Sequence, residues 1–201
     1  MRGQTHLIAG AAAALPLALP NHGYEMAAVC AAGALGALLP DLDHAHSLAG
    51  RWLPWPSRTQ QRGSYVAHGR RWFGHTIWHR DEFHSLTVGL LFGLALYVGA
   101  SRLQTPLPEA WILPLSLALT IGFWSHLFLD LVNVTPQMLL WPLSRRRLRP
   151  CPFPGIRQAS ILGGFLESLV ILGALGFIFY AAILPVVSAT PSAAIGLPLA
   201  H

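Results

Sequence analysis

Residues 110–131 read AWILPLSLALTIGFWSHLFLDL, an apolar run interrupted near its end by His126 and Asp130. It is long enough to span a bilayer, which takes about 20 mostly apolar residues in a helix. Ionisable groups inside such a run are costly and by default suggest function. The rest of the chain repeats this theme. Of its 201 residues 53% are hydrophobic and 10% charged, with a mean hydropathy of +0.49, too little polar surface for a soluble globule of this size.

Four further apolar segments are His6–Pro20, Tyr24–Leu39, Ser85–Ser101 and Ile161–Leu184. With Ala110–Leu131 they predict an all-α, multi-pass membrane bundle of about five helices. The last three segments are long enough to cross. The first two are short, and the break Pro20-Asn21-His22-Gly23 suggests a tight hairpin that need not cross fully. Ala18-Leu19-Pro20 is a poor signal-peptide cleavage site, so the first segment reads as a retained helix. The predicted organisation is a membrane-embedded domain over 1–184, polar loops over 40–83 and 132–160, and a loosely ordered tail over 185–201. No internal repeat is evident.

The 13 basic residues are all arginine, and 12 of them fall at the N-terminus or in the two polar loops. If every segment crosses, these lie on one side, which the positive-inside rule makes the cytoplasm. The net charge of +5 is thereby explained without a nucleic-acid partner. Arg145, Arg146, Arg147 and Arg149 read as an anchor to anionic lipid, with a secondary role of drawing an anionic substrate. Cys30 and Cys151 have no paired spacing and support neither a disulfide nor a thiolate metal site.

On this topology four helix ends present histidine and aspartate to one layer. His6 opens the first helix, Asp41, Asp43 and His44 leave the second, His79, Arg80 and His84 lead into the third, and His126 and Asp130 end the fourth. His126 and Asp130, four apart, share a helical face, and Asp41 and Asp43 can turn together on an extended exit. Imidazole with carboxylate suits zinc first, with manganese or iron(II) as alternatives. Such a set around an open position suits hydrolysis. Ser85 reads as the N-cap of the third helix. Arg80 is read equally as a partner for a substrate anion or as a topology residue. Glu167, deep in the fifth segment, needs a partner: it orients a ligand histidine or pairs with a loop arginine. His22, His46, His68 and His201 are set aside as interfacial or capping residues.

The order of an early histidine, Leu39-Pro40-Asp41-Leu42-Asp43-His44, His79-Arg80 followed by His84-Ser85, Ser125-His126 with Asp130, then Trp141-Pro142 and a basic stretch, resembles a family. It is the bacterial inner-membrane metal-dependent hydrolase family that includes a LexA-regulated (SOS-regulated) member. The resemblance runs from His6 to about Glu167. It implies His6, Asp41, Asp43, His44, His79, His84, His126 and Asp130 as metal ligands. Asp43, Arg80 and Glu167 are expected to take part in the reaction. Phe83, where threonine is common, and Pro136, where glycine is common, depart from the pattern and bear on loop shape and substrate. The expected substrate is a phosphoester or lipid-like molecule reached from the cytoplasmic interface. The competing readings are a divalent-metal transporter or a non-catalytic metal-binding membrane protein; bis-histidine haem is disfavoured by the carboxylates.

Overall fold

Helix α4, Glu109–Asp130, occupies the centre because its small residues let three neighbours approach it. The computed structural model describes residues 3–18, 23–44, 46–52, 56–62, 65–72, 75–103, 107–131, 136–148 and 161–189. Around α4 pack α1 (Gly3–Ala14), α2 (Tyr24–Gly36) and α3 (Leu86–Arg102), while α5 (Ile161–Ala189) lies on α1. The break at Pro20–His22, Cys151, Arg149, Arg157 and His201 lie outside the described residues.

The close packing follows from glycine. A Cβ on Gly122 of α4 would collide with the Gly33 carbonyl of α2, and one on Gly36 with the Leu119 carbonyl of α4. Gly10 of α1 and Gly33 face each other in the same way. In lipid, where apolar burial drives little helix association, such backbone approach supplies the packing. Gly122→Ala is therefore expected to lower the stability of the detergent-solubilised protein by about 1–3 kcal/mol. A thermal melt indistinguishable from wild type would contradict this packing.

Polar groups within α4 are satisfied locally: the Ser116 hydroxyl donates to the Ile112 carbonyl at 2.7 Å and Thr120 to Ser116 at 3.0 Å. On the outside, Leu90, Leu91 and Leu94 of α3 and Phe165, Leu169, Leu172 and Phe179 of α5 are exposed. Only 11% of the apolar stretch of α5 is buried inside the chain, against 44% for α4, so α5 offers its surface to lipid.

Among the described residues, three stretches are long and apolar enough to cross a membrane: Tyr24–Asp43, Glu109–Asp130 and Gly163–Ala181. The expectation differed for two segments. α2 gains length because a 3-10 turn, Leu39–Asp43, continues it, while α3, at 17 residues, is the shorter apolar helix. α1 is short, as expected, and ends in a 3-10 turn, Leu15–Leu17. α5 continues to Ala189, past the predicted boundary at Leu184.

The 40–83 loop is also more ordered than its polar composition suggested. It carries a three-stranded antiparallel sheet, β1 (Ser57–Arg62), β2 (Tyr65–Trp72) and β3 (His75–Trp78), in the order β1-β2-β3. Gly69 pairs with Trp78, and the next amide, of His79, donates to the His68 carbonyl at 2.6 Å. The sheet thus carries the chain to His79 at a set position. Gly63-Ser64 and Phe73-Gly74, two-residue links between runs containing Thr, Val, Tyr and Ile, were the hairpin signal available in the sequence.

Residues 136–148 of the second polar loop fold back over the helix ends. Gln137 and Leu148 exchange backbone hydrogen bonds, the Gln137 side chain donates to the Leu127 carbonyl at 2.8 Å, and the Met138 amide donates to Arg80 at 3.1 Å. The Leu86 amide, at the start of α3, donates to Leu139. Trp141–Pro142, a cis peptide, lies in this same segment.

Candidate metal centre

Each site residue is placed by the end of an element. His6 lies in the first turns of α1, Asp41 and Asp43 in the 3-10 turn after α2, and His79 just beyond β3. His84 immediately precedes Ser85, the N-cap of α3, whose hydroxyl accepts the Val88 amide at 3.2 Å. His126 and Asp130 close α4. The exit carrying Asp41 and Asp43 is a 3-10 turn and not the extended exit considered for them, because Pro40 sits at its start and the His44 amide closes it onto the Asp41 carbonyl.

Three imidazoles converge on one carboxylate oxygen. From Asp41 Oδ1, His126 Nε2 is 3.5 Å away, His79 Nε2 3.8 Å and His84 Nε2 3.9 Å. Two of these rings have their other nitrogen engaged. His79 Nδ1 donates to Asp43 Oδ1 at 2.8 Å, and His126 Nδ1 donates to the Ala37 carbonyl at 2.7 Å. With the proton held on Nδ1, the neutral ring keeps its Nε2 lone pair for the shared space. His84 differs: the Arg80 amide donates to its Nδ1 at 3.3 Å, which puts the proton of the neutral ring on Nε2, toward Asp41. For Nε2 of the neutral ring to hold a cation, the proton would have to move to Nδ1 and the Arg80 hydrogen bond would be given up.

A second group adjoins the first through His126. Its ring stacks on His6, with centroids 3.8 Å apart, and His6 Nε2 lies 3.4 Å from Asp130 Oδ1. Arg80 Nη2 pairs with Asp130 Oδ2 at 2.8 Å. Arg80 adopts a positive φ of 66°. Its carbonyl is held by Met138, and its amide by His84.

Among the described residues, three overlapping sets could each hold an ion: His6, His126 and Asp130; Asp41, His84 and His126; Asp43, His79 and His84. Within each, the donor atoms lie within 4.8 Å of one another. The buried atoms His84 Nε2, His126 Nε2, His6 Nδ1 and Asp43 Oδ2 have no hydrogen-bond partner among the described residues. Buried polar atoms are rarely left so, and a divalent cation would satisfy several of them together. The donor set, imidazole and carboxylate, fits such an ion.

The electrostatics of the loop histidines differ from ring to ring. Burial opposes charge on His79, but the Asp43 carboxylate and its hydrogen bond, with Asp41 beyond, hold its pKa above the ordinary value. Burial, then the neighbouring His79 and His126, press His84 well below it. Burial and His79 lower His44 to about 4.

His44 and Glu167 stand apart from these sets. The His44 ring lies at the rim, 4.8 Å from His79 and 5.0 Å from His68 between centroids. Glu167, on α5, is buried and accepts the Thr5 hydroxyl of α1, a partner that the sequence did not suggest. Neither reading of Arg80 included its pairing with Asp130. Arg147, read as a lipid anchor, binds Asp81 Oδ2 at 2.7 Å and so ties the second loop to the first. Ala37 was invisible to motif reading because its carbonyl, a group every residue carries, does the work. Phe83 packs toward Phe92, with ring centroids 6.2 Å apart.

The chain belongs to the YdjM inner membrane protein family, which matches residues 1–195. The chain is 32% identical over 173 residues to the uncharacterized protein YvsG of Bacillus subtilis (strain 168), covering 86% of this chain and 89% of that protein. It is 30% identical over 122 residues to the inner membrane protein YdjM of Escherichia coli (strain K12), covering 60% of this chain and 52% of that protein. The chain therefore matches about half the length of that YdjM protein. No solved structure matches the chain. Membership of the YdjM family, together with the apolar helices, supports a membrane location.

Proposed function

We propose that this YdjM-family chain is a membrane-bound metal-dependent hydrolase. It holds one or two divalent ions, zinc first with manganese or iron(II) as alternatives, and acts on a phosphoester or lipid-like substrate. The observation that carries the reading is the convergence of His79, His84 and His126 on Asp41 Oδ1, beside buried donor atoms that have no hydrogen-bond partner among the described residues. His6, Asp43 and Asp130 extend the same set, as the overlapping triads allow. When bound, a divalent ion supplies Lewis acidity and water activation.

The chain's own residues have separable tasks in this reading. Asp43 keeps the His79 proton on Nδ1 and orients the ring, as the Ala37 carbonyl does for His126. Arg80 holds Asp130 in place and brings a fixed cation to the site's edge, where an anionic substrate group can approach. Glu167, through Thr5, sets α1 and with it the adjacent His6. His44 acts at the rim.

The site gathers at one end of the helices, which favours chemistry at the interface over transport, whose sites sit near the bilayer midplane. In this reading the helices make a multi-pass bundle in the bacterial inner membrane. The N-terminus and both arginine-rich loops face the cytoplasm, following the positive-inside rule. SOS (LexA) control of expression belongs to the same proposal, on the resemblance alone. The test is a panel of phospholipids and soluble phosphoesters incubated with zinc- or manganese-loaded protein in detergent. Turnover that disappears in a folded His84→Ala variant is expected. Bound metal with no hydrolysis across the panel would remove the hydrolase reading.

A further inference from the structure

At the opposite end of the bundle from the histidines, α2 and α4 border a small cleft. Glu25 lies in the first turn of α2 and Trp111 in that of α4, whereas Asp41 follows the other end of α2 and His126 lies in the last turns of α4. Along α4, Trp111 and His126 are about 22 Å apart at the rise of an α-helix. The cleft has about 230 Å³ of empty space, its open mouth included, and is lined by Glu25, Val29, Ala110, Trp111, Pro114 and Leu115. Trp111 Nε1 donates to Glu25 Oε1 at 3.1 Å, and the Tyr24 and Trp111 rings lie 5.5 Å apart between centroids. A glutamate in a first turn and aromatic rings near a membrane surface each have an ordinary explanation, in the helix dipole and in interfacial anchoring. Neither accounts for a cleft between two helices that holds a half-buried carboxylate to which no described arginine is paired. Pro114 supplies an independent sign. It has no N–H to give to the Ala110 carbonyl one turn earlier, so a backbone acceptor lacks its helical donor between two residues that line the same cleft.

We propose that this cleft binds a primary ammonium group, carried by the headgroup of an aminophospholipid. Such a group has three N–H donors and no acceptor. The Glu25 carboxylate and the Ala110 carbonyl are acceptors that match it, and Trp111 adds an aromatic ring suited to a cation. At about 230 Å³ the cleft falls below the roughly 300–1,000 Å³ of sites that enclose a whole small molecule, and so suits one end group. Leu113 and Leu117 continue from it along α4 and are exposed, which leaves apolar surface for acyl chains. A trimethylammonium group carries the same charge but no N–H, and its methyl groups are bulkier, so it fits these acceptors poorly. The proposal rests on the membrane location of the chain and not on the metal centre.

The test is lipid binding to the full-length protein in detergent, read by native mass spectrometry. The probes are phosphatidylethanolamine and phosphatidylcholine of identical acyl chains, with free ethanolamine as the soluble arm. Glu25→Gln removes the charge but keeps an acceptor for Trp111, so the variant is expected to fold, which circular dichroism checks. Wild type should bind phosphatidylethanolamine roughly tenfold more tightly than phosphatidylcholine, and Glu25→Gln should lose that preference. Pro114→Ala, which returns an N–H to the Ala110 carbonyl and favours the helix, should reduce the preference as well. It keeps the proposal testable should Glu25→Gln fail to fold. A preference that is unchanged in either folded variant overturns the proposal. So do equal affinities for the two lipids in wild type with no Glu25-dependent binding of ethanolamine. Equal lipid affinities with ethanolamine bound in a Glu25-dependent way overturn the lipid assignment and leave the ammonium site, its ligand then being a soluble amine.

Discussion

Protein carrying Asp41→Ala is expected to emerge from detergent purification with no tightly bound zinc, where wild type retains it near stoichiometrically. Asp41 Oδ1 is the point that His79, His84 and His126 all face, so its removal takes away the anion about which the three rings are arranged. Loss of an orienting partner alone typically weakens metal binding about 10–100-fold. Removing a ligand should exceed the upper end of that range. Asp43→Ala provides the calibration. It leaves His79 in place but takes away the acceptor of its Nδ1 proton; a loss within the range marks Asp43 as the orienting partner of His79, and a loss beyond it marks Asp43 as a ligand as well. Elemental analysis of gel-filtered protein, with circular dichroism to show retained helices, reads both. Asp41→Ala protein with unchanged metal content would mean that the rings are packed against the carboxylate for structural reasons, and the metal centre would have to be abandoned.

The second large effect concerns stability. Replacing Arg80 with glycine should destabilise the detergent-solubilised protein by about 3–5 kcal/mol, the usual cost of removing one member of a buried ion pair. The Asp130 carboxylate is almost wholly inaccessible and lies 2.8 Å from the guanidinium. Without it, the aspartate remains in an apolar helix end near the rings of His6 and His126. Glycine is preferred to alanine because Arg80 has a φ of 66°, which glycine adopts without strain, so backbone strain does not add to the measured loss. The double variant Arg80→Gly, Asp130→Ala should recover part of the loss, since the uncompensated carboxylate is gone. Strictly additive losses in thermal or denaturant unfolding would show that the pair is energetically uncoupled.

The comparison between sequence and structure divides along a physical line. The helix content and the continuous apolar runs were legible because a bilayer demands long apolar stretches, and composition records that demand directly. The cluster residues were legible for a related reason. His126 and Asp130 stand out near the end of a run where ionisable groups are expensive, and Asp41 and Asp43 exceed what a helix stop requires. The β-sheet over Ser57–Trp78 was missed because its strands are polar and arginine-rich, so no apolar alternation marked them. Its short turn signals were the only cue.

Spacing in the sequence alone determined that these histidines and aspartates occur at helix ends. It also determined which pairs, such as His126 with Asp130, share a face. Which groups meet across helices was decided by the packing of α1, α2 and α3 on α4, where glycines allow backbones to approach. That packing brings His6 against His126, gives Arg80 to Asp130, and sets the Ala37 carbonyl under His126. It also leaves His44 at the rim and Glu167 with Thr5, although both share the residue types of the buried set. Residue type and local period describe one element at a time. A contact between elements depends on their separation and rotation, which only the folded chain sets.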